Sequence, residues 1–204
     1  HHPPRTPMNV LLILAHPRPG SFNHALAHAV RETLSAAGHR VVFRDLHAEG
    51  FDPVIPAGES ARTAVLPAAV AAHCADLAAA DGIAIVHPNW WGQPPAILKG
   101  WIDRVVRPGV AYEFLEGDSG EGVPRGLLKA RTAVVLNTSN TAAEREREVF
   151  GDPLETLWRN CVFGLCGVTD FRRRTFGVVV TSTAEQRRQW LAEAQALVGR
   201  AFGA

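Results

Sequence analysis

Three short polar stretches carry the side chains that could do chemistry. In the first, His16, Ser21, Phe22 and Asn23 follow the apolar run 10–15 and a break made by Pro17, Pro19 and Gly20. An imidazole, a hydroxyl and a carboxamide at the start of a helix suit a phosphate or pyrophosphate, because free backbone N–H groups and the helix dipole point the same way. Gly20 is followed by no Gly-Lys-Ser/Thr, so this is not a Walker A loop, and it is not a G-x-G-x-x-G turn. An ordinary capped helix after an ordinary strand leaves the same local pattern, and the stretch alone leaves both readings open. In the second, His87 and Pro88 end an apolar run and Asn89, Trp90, Trp91 and Gly92 follow. Adjacent tryptophans beyond a buried strand offer stacking surface for a flat ligand, or else one plugs the core and the other covers it. The third, residues 137–141, is hydroxyl-rich and begins Asn137, Thr138, Ser139.

The elements that must position these stretches follow from the apolar periodicity. Strands are expected over 10–15, 41–43, 83–86, 132–136 and 176–180. Helices are expected from about Phe22, with Leu26, Ala29, Val30 and Leu34 on one face and Gly38 at its end; over 61–80, with Pro67 breaking or kinking its early part; and over 96–106, 154–164 and 184–202. Residues 107–129 read as a surface loop or short hairpin, and the charged run 144–148 as a solvated face. Strands alternating with helices give an α/β chain with a doubly wound, flavodoxin-like, five-stranded parallel sheet of order 2-1-3-4-5. Residues 1–7 are expected to be a disordered leader or expression remnant, and 8–204 a single domain.

Composition narrows the function classes. With 21 basic and 20 acidic side chains the net charge is +1, which argues against a nucleic-acid partner. No apolar stretch is long enough for membrane insertion. Three cysteines, Cys74, Cys161 and Cys166, are too few and too odd in number for a disulfide framework and suit a cytoplasmic location. The nine histidines are scattered; His24 and His28 share a helical face without an acidic neighbour in sequence, so no metal site is expected.

In the order 2-1-3-4-5, the stretches after the first, third and fourth strands lie along one edge of the sheet, where open α/β sheets take ligands. A flat aromatic group with a phosphate tail fits them. The tail would rest at the first helix N-terminus, Trp90 and Trp91 would stack, and backbone N–H groups would stabilise charge on the flat part. Flavin nucleotides have this shape.

The motifs A-H-P-x-x-x-S-F-N (15–23) and P-N-W-W-G-Q-P-P-A-I-L-K-G-W (88–101) resemble those of the NAD(P)H:quinone oxidoreductases. This is the DT-diaphorase-like group that includes the modulator-of-drug-activity proteins and the ancillary subunits of potassium-efflux systems. The resemblance runs from Met8 to about the fifth strand. It implies that His16, Ser21, Phe22, Asn23 and Ala25 bind flavin phosphates and that Pro88, Asn89, Trp90, Trp91 and Gly92 wrap the isoalloxazine; the strand order, not the resemblance, adds Asn137, Thr138 and Ser139 as the third wall. It also implies a homodimer with flavin at the interface, and hydride transfer from NADH or NADPH through the flavin to a quinone or similar small-molecule acceptor. The segment 51–58 could cover an adenine, which favours FAD, with FMN the alternative.

Two departures stand out. The family's third loop is Thr-Thr-Gly-Gly, where this chain has Asn137-Thr138-Ser139-Asn140, and loss of both glycines bears on how closely backbone can approach the flavin. The Tyr and His proposed to relay a proton in the quinone reductases are replaced by Glu144 and Phe150, leaving Glu144 as the one candidate for proton transfer. The alternative function is a flavin-binding regulatory subunit of a membrane transport system. A phospho-receiver domain is rejected, since His16 and His87 stand where it needs acids.

Overall fold

The computed structural model describes residues 6–203. The expected leader falls largely outside that range. Five strands form a parallel sheet: β1 (Asn9–Leu14), β2 (Arg40–Asp45), β3 (Gly82–Pro88), β6 (Thr132–Ser139) and β7 (Asp170–Gly177). Their spatial order is β2-β1-β3-β6-β7, which is the expected 2-1-3-4-5 once the separate two-stranded ladder of β4 (Tyr112–Glu113) and β5 (Arg125–Gly126) is set aside.

Each inner strand is apolar on both faces, as a sheet covered on both sides requires. Val10, Leu12 and Leu14 of β1 pack with Val134 and Leu136 beneath α1 (Phe22–Ala36) and α6 (Ala184–Phe202). Leu11 and Ile13 turn the other way, onto α2 (Ala68–Ala79), α3 (Ala96–Val105) and the segment from 153 to 164. Burying each such side chain contributes roughly 1.5–3 kcal/mol before chain entropy is counted.

The structure moves several expected boundaries. The helix expected over 61–80 begins at Ala68: Leu66 precedes a proline, which disfavours helical backbone there, and Pro67 instead supplies the carbonyl that accepts the Ala71 N–H at 3.0 Å. The fourth sheet strand runs on to Ser139, so Asn137, Thr138 and Ser139 lie in β6, not in a loop beyond it. The fifth strand is Asp170–Gly177, not 176–180. It is an edge strand, where Arg172 and Arg174 can lay their stems on the sheet and carry their charges outward, Arg173 turns its guanidinium inward, and Phe171 and Phe176 anchor opposite faces. The helix expected over 154–164 is α5 (Pro153–Thr156) followed by a π-helical segment, Leu157–Gly164. The charged run forms a short exposed helix, α4 (Ala143–Glu148). No helix among the described residues is long and apolar enough to cross a membrane.

Candidate functional site

β1 ends at Leu14, and the chain crosses the sheet edge before Ser21 caps α1. The Ser21 hydroxyl accepts the His24 N–H at 3.3 Å, and Gly20, at φ +77°, takes the left-handed backbone that brings the chain into the cap. Phe22 and Asn23 occupy the first turn, where N–H groups have no partner within a helix. His16 stands beside them. Its Nδ1 accepts the Arg18 N–H at 3.1 Å, its ring meets Trp90 edge-on with centroids 6.2 Å apart, and burial holds its imidazole below the ordinary histidine value.

The first and third stretches are fastened together. The Asn23 carboxamide donates to the Thr138 hydroxyl at 2.9 Å, and that hydroxyl donates back to Asn23 Oδ1 at 3.2 Å. The second stretch joins through the Asn89 N–H, which donates to the Thr138 carbonyl at 2.7 Å. Beyond Asn89 the chain reverses in a tight turn: Trp90 and Gln93 exchange two backbone hydrogen bonds of 3.0 Å, with Trp91 at φ +59° and Gly92 at φ +69°. Two left-handed residues in succession are the signature of a type I′ turn. Trp91 is wholly exposed and Trp90 is 43% exposed, so neither plugs the core.

Beneath the cleft is a buried polar network. His87 Nδ1 lies 2.7 Å from the Pro88 carbonyl, and its Nε2 lies 3.0 Å from Trp158 Nε1 and 2.9 Å from Asn137 Nδ2. An indole N–H can only donate, so Nε2 is the acceptor and the imidazole is neutral, with its proton on Nδ1. Burial pushes its pKa down to about 4. Asn137 Oδ1 accepts in turn from Arg173 at 3.2 Å, and Arg173 is held by Glu155 at 2.9 Å and by Asp152.

The cleft has three branches that share Thr141. His16, Ser21, Phe22, Asn23, Asn89 and Trp90 line the first, with Pro88, Thr138 and Ser139 along its floor. The second, of ≈ 580 Å³, is walled by Trp91, Gly92, Phe150 and Pro153, with Glu146 at its polar end. The third runs from Ser139 towards Arg147, Arg173 and Arg174.

Most residues expected at a site are therefore brought together. Three are not. Asn137 is fully buried in the network below; Ala25 lies a turn into α1, with its N–H bonded to the Ser21 carbonyl at 3.2 Å; Glu144 is exposed and lines none of the branches. Glu146 faces the cleft instead, and its Oε1 is buried without a protein partner. Within the charged run 144–148 nothing in the sequence sets it apart from Glu144. Arg18 and Thr141, inside the first and third stretches but not named as site residues, also line the first branch, as does Val179, which lies outside all three stretches. The segment 51–58 does not reach the cleft. It is pinned on the α3 side, where Arg104 donates to the Asp52 carbonyl at 2.7 Å and a Cβ on Gly100 would stand 2.3 Å from Pro53.

These residues fit a phosphate-bearing flat group. The α1 N-terminus offers donors at one end, and Asn89 Oδ1, buried without a protein partner, offers an acceptor beside the tryptophans. The lost glycines do not obstruct the cleft: Ser139 Oγ folds back to accept the Thr141 N–H at 3.0 Å, and Asn140 Oδ1 turns away to accept the Val180 N–H at 2.9 Å.

Comparison with known proteins agrees with this geometry. A family model described as "Flavodoxin-like fold" matches residues 8–198. The chain is 33% identical over 174 residues to an uncharacterized NAD(P)H oxidoreductase of Haemophilus influenzae, covering 83% of this chain and 84% of that one. It is 30% identical over 207 residues to a ribosyldihydronicotinamide dehydrogenase (quinone) of Rattus norvegicus, covering 90% and 87%. Among solved structures it is similar to an NAD(P)H:quinone oxidoreductase from Methanothermobacter marburgensis, with a TM-score of 0.79, 28% identity, and 95% and 96% of the two chains covered.

Proposed function

The chain belongs to the flavodoxin-like fold family matched over residues 8–198, and on that premise we propose that it is a flavin-dependent NAD(P)H oxidoreductase that reduces a quinone or a similar acceptor. The observation that carries this reading is the joining of the three stretches into one cleft through Asn23, Asn89 and Thr138. Bound flavin supplies the hydride chemistry. The protein binds, orients and excludes water.

Ser21 and the first N–H groups of α1 hold the phosphate end. Asn89 and the Trp90–Gln93 turn hold the flat end. The second branch, aromatic on its walls with one carboxylate, takes the acceptor or the nicotinamide in turn. Glu146, not Glu144, stands where it can accept a hydrogen bond from that occupant.

The exposed ring of Trp91 and the exposed Val149 and Phe150 at the same rim support a homodimer that covers this edge of the cleft. Cys74, Cys161 and Cys166 are all free thiols, which supports a cytoplasmic location. The cofactor is FAD or FMN; with 51–58 away from the cleft, that segment gives no reason to favour FAD from within one chain.

Purified protein should be yellow. Heat release followed by mass spectrometry identifies the flavin, and NADH and NADPH are compared for bleaching, with a quinone for recovery of colour. A colourless protein that takes up neither FAD nor FMN overturns the reading.

A further inference from the structure

Ser21 does not stand alone at the phosphate end. Its Oγ lies 2.8 Å from His24 Nδ1, and His24 Nε2 lies 3.3 Å from Asp45 Oδ2 at the end of β2. Asp45 is itself fixed, because its Oδ1 accepts the Ala48 N–H at 3.1 Å. Serine, histidine and carboxylate thus form a line running from the cleft into the sheet edge, with Ser21 only 3% exposed.

The proton count along this line has a consequence. A carboxylate only accepts, so the Nε2 that faces Asp45 carries a proton. Nδ1 then decides what Ser21 can do. When Nδ1 is bare it accepts a hydrogen bond from the Ser21 hydroxyl, whose one proton is then not available to the cleft. When Nδ1 is protonated it donates to Oγ, which also accepts the His24 N–H at 3.3 Å. The hydroxyl proton is then turned outward, towards an anion.

We infer that His24 and Asp45 are positioning residues that make Ser21 a donor to the cofactor phosphate, so that binding a phosphate-bearing flavin takes up one proton at His24. This rests on the flavin reading of the cleft. The other charged or titratable groups around His24 are His16, whose ring centroid is 6.3 Å away, and Arg18 and His47, which lie near His16; His28, one turn further along α1, packs instead on Phe43. Each of these is cationic when protonated, and Asp45 is the acid that offsets them at His24.

The test is the ratio of FAD to riboflavin affinity, read by fluorescence titration from about pH 5.5 to 8.5, where the FAD diphosphate keeps its charge and riboflavin has no phosphate. FMN is measured alongside above about pH 7, where its phosphate is a dianion. The ratio is expected to rise as pH falls, approaching about tenfold per pH unit, the limit for one linked proton. His24→Gln should flatten it, Asp45→Asn should move the rise to lower pH, and His16→Asn should retain it. Melting temperatures establish that the variants are folded. A flat ratio in the wild-type protein with riboflavin still bound overturns this inference and leaves the flavin reading intact. A slope that survives His24→Gln also overturns it. Absence of binding by all three flavins overturns the flavin reading, and this inference with it.

Discussion

Asn23 and Thr138, 115 positions apart in sequence, exchange hydrogen bonds of 2.9 and 3.2 Å through their side chains, and this exchange closes the cleft between α1 and β6. Both are buried. Removing one partner leaves the other desolvated and unpaired, which costs about 1–3 kcal/mol. Thr138→Val is therefore expected to lower the melting temperature by several degrees and to weaken flavin binding, while Thr138→Ser keeps both bonds and stays near the wild type. Thermal unfolding and flavin titration of the two variants check this; a Thr138→Val protein as stable and as tight-binding as the wild type would refute it.

Trp91 occupies a left-handed position in a turn that asparagine or glycine fills at lower cost. A bulky side chain held there stores on the order of 1 kcal/mol or more of strain. Its ring is fully exposed, so no packing within the protomer offsets that cost. Trp91→Asn is expected to raise the melting temperature of the monomer while shifting any dimer equilibrium towards monomer. Sedimentation and calorimetry over a concentration series separate the two effects, and a fall in monomer stability would refute the strain argument.

The neighbouring glycine is fixed by contact as well as by conformation. A Cβ on Gly92 would stand 2.6 Å from Pro153 Cγ, at a φ of +69°. Gly92→Ala is expected to destabilise the fold by about 1–3 kcal/mol and to push the 90–93 turn off the second branch. Chemical denaturation reads the first effect, and the KM for the acceptor reads the second.

Much of this site was legible from sequence because strand ends announce themselves. Pro17 and Pro19 stop β1, Asn89 and its tryptophans follow β3, and the hydroxyl run marks the end of β6; the doubly wound order then brings all three together. What sequence hid has physical causes. Asn137 reads as a loop residue because polar side chains are rare inside strands, yet its partners His87, Trp158 and Arg173 come from elsewhere in the chain. β7 was masked by three consecutive arginines, whose salt bridges to Asp170, Glu155 and Glu193 exist only once the edge is formed. Segment 51–58 looked free to cover a ligand; the buried Arg104 that holds it is 52 positions from Asp52.

That arginine makes a two-point ion pair with Glu59, at 2.7 Å from each of Nε and Nη2, and both side chains are buried. The hydrogen bonds from Arg104 hold the Glu59 carboxyl below its ordinary value, against the opposing effect of burial. A carboxyl depressed in the folded state adds stability above the usual carboxylate range, and that stability is lost as pH falls through the folded value. Glu59→Ala leaves Arg104 buried and uncompensated, at a cost of about 3–5 kcal/mol. Its effect on the cleft should be small, because the pair braces the opposite side of α3. Urea unfolding, compared with flavin affinity in the same variant, reads both.

His87 gives the opposite case, a base kept neutral. Its pKa is about 4 in the folded protein against an ordinary 6.5, so between those values the unfolded chain binds more protons. Stability therefore falls as pH drops from about 6.5 to 4, by roughly 3 kcal/mol at completion, and is fully present above 6.5. The cause is structural: protonation would turn Nε2 into a donor facing two other donors, the Trp158 indole and the Asn137 amide. A glutamine can offer an oxygen to those donors without titrating. His87→Gln is thus expected to be less stable than wild type at neutral pH, through imperfect packing, with the gap narrowing as the pH approaches 4.5. Melting temperatures of both proteins across that range test it, and parallel curves would show that the acid lability arises from the carboxylates instead.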